Sequence, residues 1–165
     1  MKFLDEAFFK KPLPYILQSL LASITMFFIL TFLDIISHTA IIASLGATAF
    51  IVFTLPHKLS SRLRSVVGGY VVSIIVGCGC SILSRKFFLL NPSLKIHYVI
   101  FGALSVGISL FLMAITDTEH PPAAGMALGL VINTWDYNTL LFIVGAVVVM
   151  YSVKRILRPL MVDLI

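Results

Sequence analysis

Residues 117–132 read DTEHPPAAGMALGLVI, and this stretch decides the fold. Two carboxylates, an imidazole and two adjacent prolines stand here between apolar segments. A bilayer accepts ionisable side chains and non-helical backbone only where protein or trapped water satisfies them. The stretch therefore predicts a broken helix and a polar site inside a membrane protein.

The composition of the whole chain is typical of a membrane protein. Of its 165 residues, 59% are hydrophobic and 12% are charged, and the mean hydropathy is +1.07. A soluble domain has about 25% charged residues. Long uncharged runs alternate with short charged junctions, which indicates several membrane crossings. The net charge of +5 comes from Lys and Arg that flank these runs and meet lipid, so we expect no nucleic-acid binding.

Six apolar segments predict an all-α membrane protein, a compact bundle with two short or broken members. They cover residues 16–33, 39–55, 66–83, 98–116, 121–132 and 137–153. We expect an interfacial N-terminal helix at 1–14, a single transmembrane domain at 15–158 and a C-terminal tail at 159–165. Three segments followed by three more suggest an inverted 3+3 repeat, with segments two and five as its matching members.

Segment five is too short to span a bilayer alone. As a helix it reaches about 18 Å, against a hydrocarbon core of about 30 Å. It would either dip in and return, or complete a crossing with residues 117–120 extended. A crossing places nine of the twelve basic residues on one side, with Arg85, Lys86 and Lys95 opposite. The positive-inside bias favours this crossing, with both termini cytoplasmic in a bacterial inner membrane.

The two prolines predict where the fifth helix begins. A residue before proline avoids the helical conformation, so His120 should be extended. Pro121 suits the first helical position, where its missing N–H group costs nothing. We therefore expect the break immediately before Pro121.

Small residues recur every four positions on segments three and five. Such faces let helices approach closely, and we interpret them as packing surfaces. A backbone-lined pore wall or a contact between subunits is the alternative. The residues are Gly69, Ser73, Gly77 and Ser81 on segment three, and Gly125 and Gly129 on segment five.

Asp117, Glu119 and His120 are the central candidate group for function. They would either be solvated in an exposed turn or line a polar vestibule at the mouth of segment five. In a vestibule, His120 would titrate near neutral pH and the carboxylates would relay protons or select ions.

Helix N-termini offer a second mechanism, anion binding. Segment five would begin near Ala123 with free N–H groups and a partial positive charge. If segment two also begins within the membrane, near Ser44 to Gly46, the two termini would converge. Free N–H groups and the hydroxyls of Ser44 and Thr48 would then bind a small anion. The nearby carboxylates conflict with this scheme unless they point away or are protonated.

The chain carries none of the common enzyme motifs. It has no H-E-x-x-H, G-x-S-x-G or G-x-x-x-x-G-K-[ST] pattern. Its two cysteines, Cys78 and Cys80, lie in an apolar segment with no His, Asp or Glu close in sequence. We expect no enzymatic activity, no cofactor and no metal site.

Two blocks of the sequence resemble a known family. "TEHPPAAGMALG" (118–129) is similar to the signature of the HPP family of integral membrane proteins, and "SLGATAFIVFTLP" (44–56) with "RSVVGGY" (64–70) is similar to its other marked region. The resemblance implies a helical membrane domain of four or more spans. It also implies transport, because plant plastid and cyanobacterial members are associated with nitrite.

Our leading hypothesis is a multi-pass transporter or channel for a small inorganic anion, with nitrite as one candidate. Arg64, just before segment three, would draw the anion in or merely orient the chain. The alternatives are a non-transporting scaffold, or a proton or cation pathway through Asp117 and Glu119. We expect a homo-oligomer, with a dimer favoured over a trimer, and lipid as a partner.

Two sets of residues follow from these hypotheses. The candidate pathway residues are Ser44, Gly46, Thr48, Arg64, Asp117, Glu119, His120, Ala123, Ala124 and Gly125. The candidate structural residues are Gly68, Gly69, Ser73, Gly77, Pro121, Pro122 and Gly129.

Overall fold

The computed structural model describes residues 10–31, 39–90 and 96–164, and this part of the chain is helical without strands. Most of the expected interfacial helix at 1–14 lies outside the described residues, as does Lys95. The described residues form six helices: α1 (Pro12–Thr31), α2 (Thr39–Thr54), α3 (Leu63–Leu90), α4 (Ile96–Thr116), α5 (Pro121–Ile132) and α6 (Tyr137–Leu157). Short 3-10 turns occupy Leu59–Ser61 and Arg158–Leu160.

The all-α membrane bundle expected from the sequence is confirmed. Helices α1, α3, α4 and α6 are long and apolar enough to cross a membrane, whereas α2 has 16 residues and α5 has 12. Helix α5 has the limits expected from the sequence. Helices α3 and α6 run past the ends of their apolar segments, through Arg85 and Lys154 respectively.

Helix α5 crosses the bundle and does not return to its starting side. It runs parallel to α3, because an added Cβ at Gly68 would meet Thr118 and one at Gly77 would meet Ala127. Beyond its end, the indole Nε1 of Trp135 donates to Ser81 over 2.9 Å. Ser81 lies about 27 Å along α3 from its start, so the re-entrant alternative is wrong.

The described chain begins and ends on one face of the bundle, which we call the terminal face. The hydroxyl of Tyr15 donates to the carbonyl of Leu164 over 3.1 Å, and the N–H of Leu164 donates to the carbonyl of Thr54 over 2.8 Å. The end of α4 and the start of α5 lie on the same face, because Arg64 donates to the carbonyl of Thr116 and Gly68 adjoins Thr118. Helices α1 and α4 therefore run in opposite directions, as do α2 and α5. This is the geometry that an inverted 3+3 arrangement requires.

Two short helices form the centre of the bundle and four long ones surround them. Eight of the twelve residues of α5 are buried, and seven of the sixteen residues of α2. An added Cβ at Gly129 would lie 3.1 Å from the side chain of Ile41, so the two helices are in close contact. The inner part of the break before α5, at Thr118 and His120, is buried in protein.

The small-residue face of α3 packs within the molecule. Ser73 and Ser81 are buried there, and Gly77 contacts the backbone of α5. The interpretation as a helix-packing surface is therefore correct. The alternative use of this face, or of α5, as a subunit contact is wrong, because both are covered in the single chain.

The C-terminal segment after α6 is extended and returns to the bundle. The buried side chain of Gln18 donates to the carbonyls of Phe53 and Val162 and accepts the N–H of Val162. Met161 and Leu164 are also buried. This segment joins α1 to the ends of α2 and α6.

Candidate functional site

The break between α4 and α5 is a sharp turn followed by extended chain. Helix α4 ends at Thr116, and Asp117 adopts a left-handed conformation with φ of 54°, which Asp tolerates better than most residues. His120 is extended, with φ −140° and ψ 90°, and Pro121 opens the next helix. The prolines therefore act as the sequence predicted.

Two adjacent glycines on α3 make room for this extended chain. A Cβ at Gly68 would lie 2.5 Å from the side chain of Thr118, and one at Gly69 would lie 2.8 Å from that of His120. No Cβ occurs at such distances without a displacement of its neighbour. The Gly-Gly pair thus lets the segment 118–120 lie directly against α3.

His120 is fully buried and begins a chain of hydrogen bonds. Its Nδ1 lies 2.8 Å from the carbonyl of Ser60, so Nδ1 carries the proton of the neutral ring. Its Nε2 must then accept, and the hydroxyl of Thr48 donates to it over 3.0 Å. The Thr48 oxygen in turn accepts from the Tyr70 hydroxyl over 2.7 Å.

Ser44 extends this chain by one further hydroxyl. Its Oγ donates to the carbonyl of Pro122 over 2.6 Å and lies 3.4 Å from the Tyr70 oxygen. Ser44, Thr48 and His120, all expected from the sequence, are thus brought together. We call the set Ser44, Thr48, Tyr70 and His120 the buried polar chain.

Tyr70 was missed among the candidate site residues. Its side chain is 3% exposed, and its hydroxyl lies between those of Ser44 and Thr48. The signal in the sequence was a tyrosine inside an apolar segment, one position after Gly69. A buried tyrosine hydroxyl needs a hydrogen-bond partner, which marks such a residue as a candidate.

A pocket of about 780 Å³ opens on the terminal face beside the break. Its charged lining consists of Lys58, Arg62, Arg64, Asp117 and Glu119, and Pro121 also contributes. We call it the terminal vestibule. The residue after Glu119 is His120, so the buried polar chain starts immediately behind the vestibule wall.

Arg64 holds the outer part of the break. Its guanidinium donates to the carbonyl of Thr116 over 2.8 Å and lies 3.3 Å from the carboxylate of Asp117. The side chains of Arg64 and Asp117 are 67% and 85% exposed. This ion pair therefore contributes little to stability, although Arg64 remains a positive charge at the pocket mouth.

For Asp117, Glu119 and His120, the solvated turn and the polar vestibule each describe part of the structure. Asp117 and Glu119 are exposed, as the solvated-turn alternative expects, whereas His120 is buried. Among the described residues, no Asp or Glu side chain is buried. The buried part of the site is therefore made of hydroxyls and an imidazole.

The expected pair of converging helix N-termini is wrong. Helix α2 begins at Thr39 and runs unbroken through Ser44, Gly46 and Thr48, so these residues lie within a helix. Its N-terminus also lies at the end of the bundle opposite to that of α5, because the two helices are antiparallel. Convergence is excluded by this direction.

The N-terminus of α5 also lacks the expected free donors. Pro121 and Pro122 have no N–H group, and the N–H of Ala123 donates to the carbonyl of His120 over 2.9 Å. Ala123 and Ala124 are buried, and a Cβ added at Gly125 would lie 3.8 Å from the side chain of Ser44. These residues pack the site and do not present amides to it.

Within the described part of the chain, no three His, Cys, Asp or Glu side chains are grouped closely enough to hold a metal ion. Cys78 and Cys80 are free thiols on α3. No disulfide joins them.

Comparison with known proteins assigns the family. The family model for the HPP transmembrane region matches residues 9–160, which is nearly the whole chain. The chain belongs to the HPP family. The HPP match covers all six helices, including the His120-Pro121-Pro122 corner at the break.

One curated relative of this HPP protein is a transmembrane protein of Dictyostelium discoideum. It is 30% identical over 88 residues, which are 53% of this chain and 28% of that protein. The chain thus spans under a third of the length of that relative. No solved structure matches the chain.

Proposed function

We propose that this HPP protein moves a small inorganic anion across the membrane, and that nitrite is the first anion to test. One observation carries the proposal: a basic vestibule leads to a buried polar chain, and the described part of the molecule buries no carboxylate. Buried carboxylates would favour a cation, whereas hydroxyl donors favour an anion.

The vestibule would raise the local concentration of anions. Lys58, Arg62 and Arg64 contribute three positive charges to its lining against the two carboxylates of Asp117 and Glu119. A cleft lined by an excess of one sign focuses the field and attracts ions of opposite charge. Arg64 contacts the break directly, through the carbonyl of Thr116 and the carboxylate of Asp117.

The buried polar chain would then replace water around the anion. Ser44, Thr48 and Tyr70 supply three hydroxyls that now donate within the protein. Each hydroxyl can rotate about its C–O bond and donate to a ligand instead. His120 would keep Thr48 in position, because its Nδ1 is fixed on the carbonyl of Ser60.

Passage to the other face would require movement of α5. Below the site, α5 is packed against α3, where Gly77 contacts the backbone of Ala127. Alternating access through rocking of one repeat against the other fits a short helix preceded by extended chain. The extended residues 118–120 would absorb the change in backbone angles.

Flux measurement in proteoliposomes tests the proposal. Purified protein is reconstituted, the vesicles are loaded with nitrite, nitrate or chloride, and efflux is followed in parallel with protein-free vesicles. Protein-free vesicles are essential because nitrous acid crosses lipid unaided. Protein-dependent efflux of none of these anions would favour the alternative function, a non-transporting scaffold.

We further propose that both termini are cytoplasmic in a bacterial inner membrane. The basic residues on the terminal face greatly outnumber Arg85 and Lys86 at the other end of the bundle. They are Lys10, Lys11, Lys58, Arg62, Arg64, Lys154, Arg155 and Arg158. Fluorescent-protein and alkaline-phosphatase fusions after residue 165 would report the side.

Self-association as a dimer also stays a prediction. Its interface would have to use the lipid-facing sides of the outer helices, because the small-residue face of α3 is covered. Chemical crosslinking in native membranes measures the subunit number.

A further inference from the structure

A second pocket on the terminal face is strongly basic. It has a volume of about 480 Å³ and lies between the turn after α2, the start of α3 and the last turns of α6. Among the described residues, no carboxylate lines it. Its basic lining residues are His57, Arg62, Lys154, Arg155 and Arg158.

The partners of Lys154 within the protein do not neutralise its charge. Lys154 is 3% exposed, and its ammonium group donates to the backbone and hydroxyl oxygens of Ser61. The same group lies 5.4 Å from the centre of the Tyr151 ring. These contacting groups are uncharged, although Asp163 also attracts the ammonium group electrostatically. Lys154 contributes positive charge to the pocket lining.

One carboxylate lies near the pocket, and it is already engaged. Asp163 accepts the backbone N–H of His57 over 3.0 Å and lies 3.5 Å from the Nδ1 of that ring. Three arginines and Lys154 therefore line one small volume, with Asp163 beside it. Such a group of like charges attracts an anion.

The pocket lies where the apolar surface of the bundle ends. Leu63 lines its wall and is 47% exposed, and Ile156, next to Arg155 in sequence, is 74% exposed. An exposed apolar surface on a membrane helix faces lipid chains, so the adjoining basic groups lie at headgroup depth.

We propose that this pocket binds the phosphate group of an anionic phospholipid. Arginine is suited to this ligand because its guanidinium donates two parallel hydrogen bonds to phosphate oxygens. The acyl chains would lie against Leu63 and Ile156. The site is separate from the buried polar chain, and of the two pockets' basic residues only Arg62 lines both.

The test uses the full-length protein in detergent and adds lipid. Phosphatidylglycerol, phosphatidylcholine and inorganic phosphate are compared at equal concentration, by thermal unfolding and by native mass spectrometry of bound lipid. Phosphatidylglycerol should raise the unfolding midpoint and remain bound, whereas phosphatidylcholine and inorganic phosphate should do neither.

Paired variants locate the site. Arg155→Gln/Arg158→Gln removes two exposed charges from the pocket and should weaken phosphatidylglycerol binding about tenfold or more. Lys10→Gln/Lys11→Gln removes two exposed charges from the same face outside the pocket and should leave binding within about twofold.

Three results would overturn the proposal. The first is no preference for phosphatidylglycerol over phosphatidylcholine. The second is an equal loss of binding in both double variants, which would mean a diffuse surface attraction only. The third is an equal effect of inorganic phosphate, which would assign the pocket to a free anion and not to lipid.

Discussion

The imidazole Nε2 of His120 accepts a hydrogen bond from the hydroxyl of Thr48 on α2, 3.0 Å away. The contact joins the break before α5 to the middle of α2. Because the Thr48 oxygen also accepts from Tyr70, one hydroxyl connects α2, α3 and the break before α5.

Thr48→Val should abolish most anion flux. The substitution keeps the shape of the side chain but removes its hydroxyl, so both His120 and Tyr70 lose a buried partner. Unsatisfied buried groups cost about 1–3 kcal/mol each, and we expect a lower midpoint of thermal unfolding with the fold retained. Proteoliposome efflux and thermal unfolding measure the two effects.

Thr54→Val is the matched control on the same helix, because its hydroxyl donates only to the carbonyl of Phe50 one turn earlier. It should change neither measurement appreciably. Equal flux in Thr48→Val and the unchanged protein would mean that the buried polar chain is not part of the anion pathway.

Gly69→Ala should destabilise the protein by about 1–3 kcal/mol. The new Cβ would meet the Cβ of His120 at 2.8 Å and the carbonyl of Thr118 at 3.1 Å, so the extended segment must shift. Denaturation in detergent, monitored by circular dichroism, gives the change in unfolding free energy. Gly79→Ala on the same helix meets nothing within 4 Å and should be tolerated. Similar losses of unfolding free energy in Gly69→Ala and Gly79→Ala would mean that any methyl group added to α3 destabilises the protein.

Arg64→Ala and Glu119→Gln separate an anion pathway from a cation pathway. If an anion moves, Arg64→Ala should lower flux severalfold at low substrate concentration, whereas Glu119→Gln should maintain or raise it. Stability should change by less than about 1 kcal/mol, because the Arg64–Asp117 pair is exposed. Flux is measured against substrate concentration and ionic strength. The reverse pattern would support a proton or cation pathway.

Asp136 should make the stability of α6 depend on pH. It caps this helix by accepting the N–H and the hydroxyl of Thr139, each over 2.8 Å. The backbone N–H of Thr139, and next its hydroxyl, hold the pKa of Asp136 below its usual value. The cap is therefore complete above the ordinary aspartate pKa and is lost as the pH falls through the lowered value.

Asp136→Asn tests this dependence, because asparagine also caps helices but does not titrate. The unchanged protein should unfold at a higher temperature than the variant near neutral pH, and the difference should disappear in acid. A difference that is constant with pH would exclude a contribution from the charge. Thermal unfolding of both proteins from neutral to acid pH measures this difference in unfolding temperature.

The sequence predicted the parts of the fold that depend on local chemistry. The break at His120 and the start of α5 at Pro121 follow from backbone restrictions of proline, and the number of helices follows from the apolar runs. The apolar pattern predicts ends for α3 and α6 that come too early in the chain. Both helices continue after the pattern stops, through Arg85 and Lys154 respectively.

The sequence predicted part of the site, and the errors in that prediction have physical causes. Ser44, Thr48 and His120 were chosen as polar groups in apolar surroundings, and they do meet. The expectation that Ser44 and Thr48 lie beside two converging helix N-termini is wrong, because α2 starts at Thr39 and two prolines remove amides from α5. Tyr70 lies 50 positions before His120 in sequence, and only the packing of α3 against α5 brings the two residues together.

The hydrogen bonds of Gln18 have a consequence for biosynthesis. Its amide lies in the first described helix, yet it contacts Phe53 and both backbone groups of Val162. The ribosome makes Val162 long after α1 has reached the translocon. The amide must therefore be hydrated or paired elsewhere in the nascent chain, and α1 can reach its final packing only after Val162 has been made.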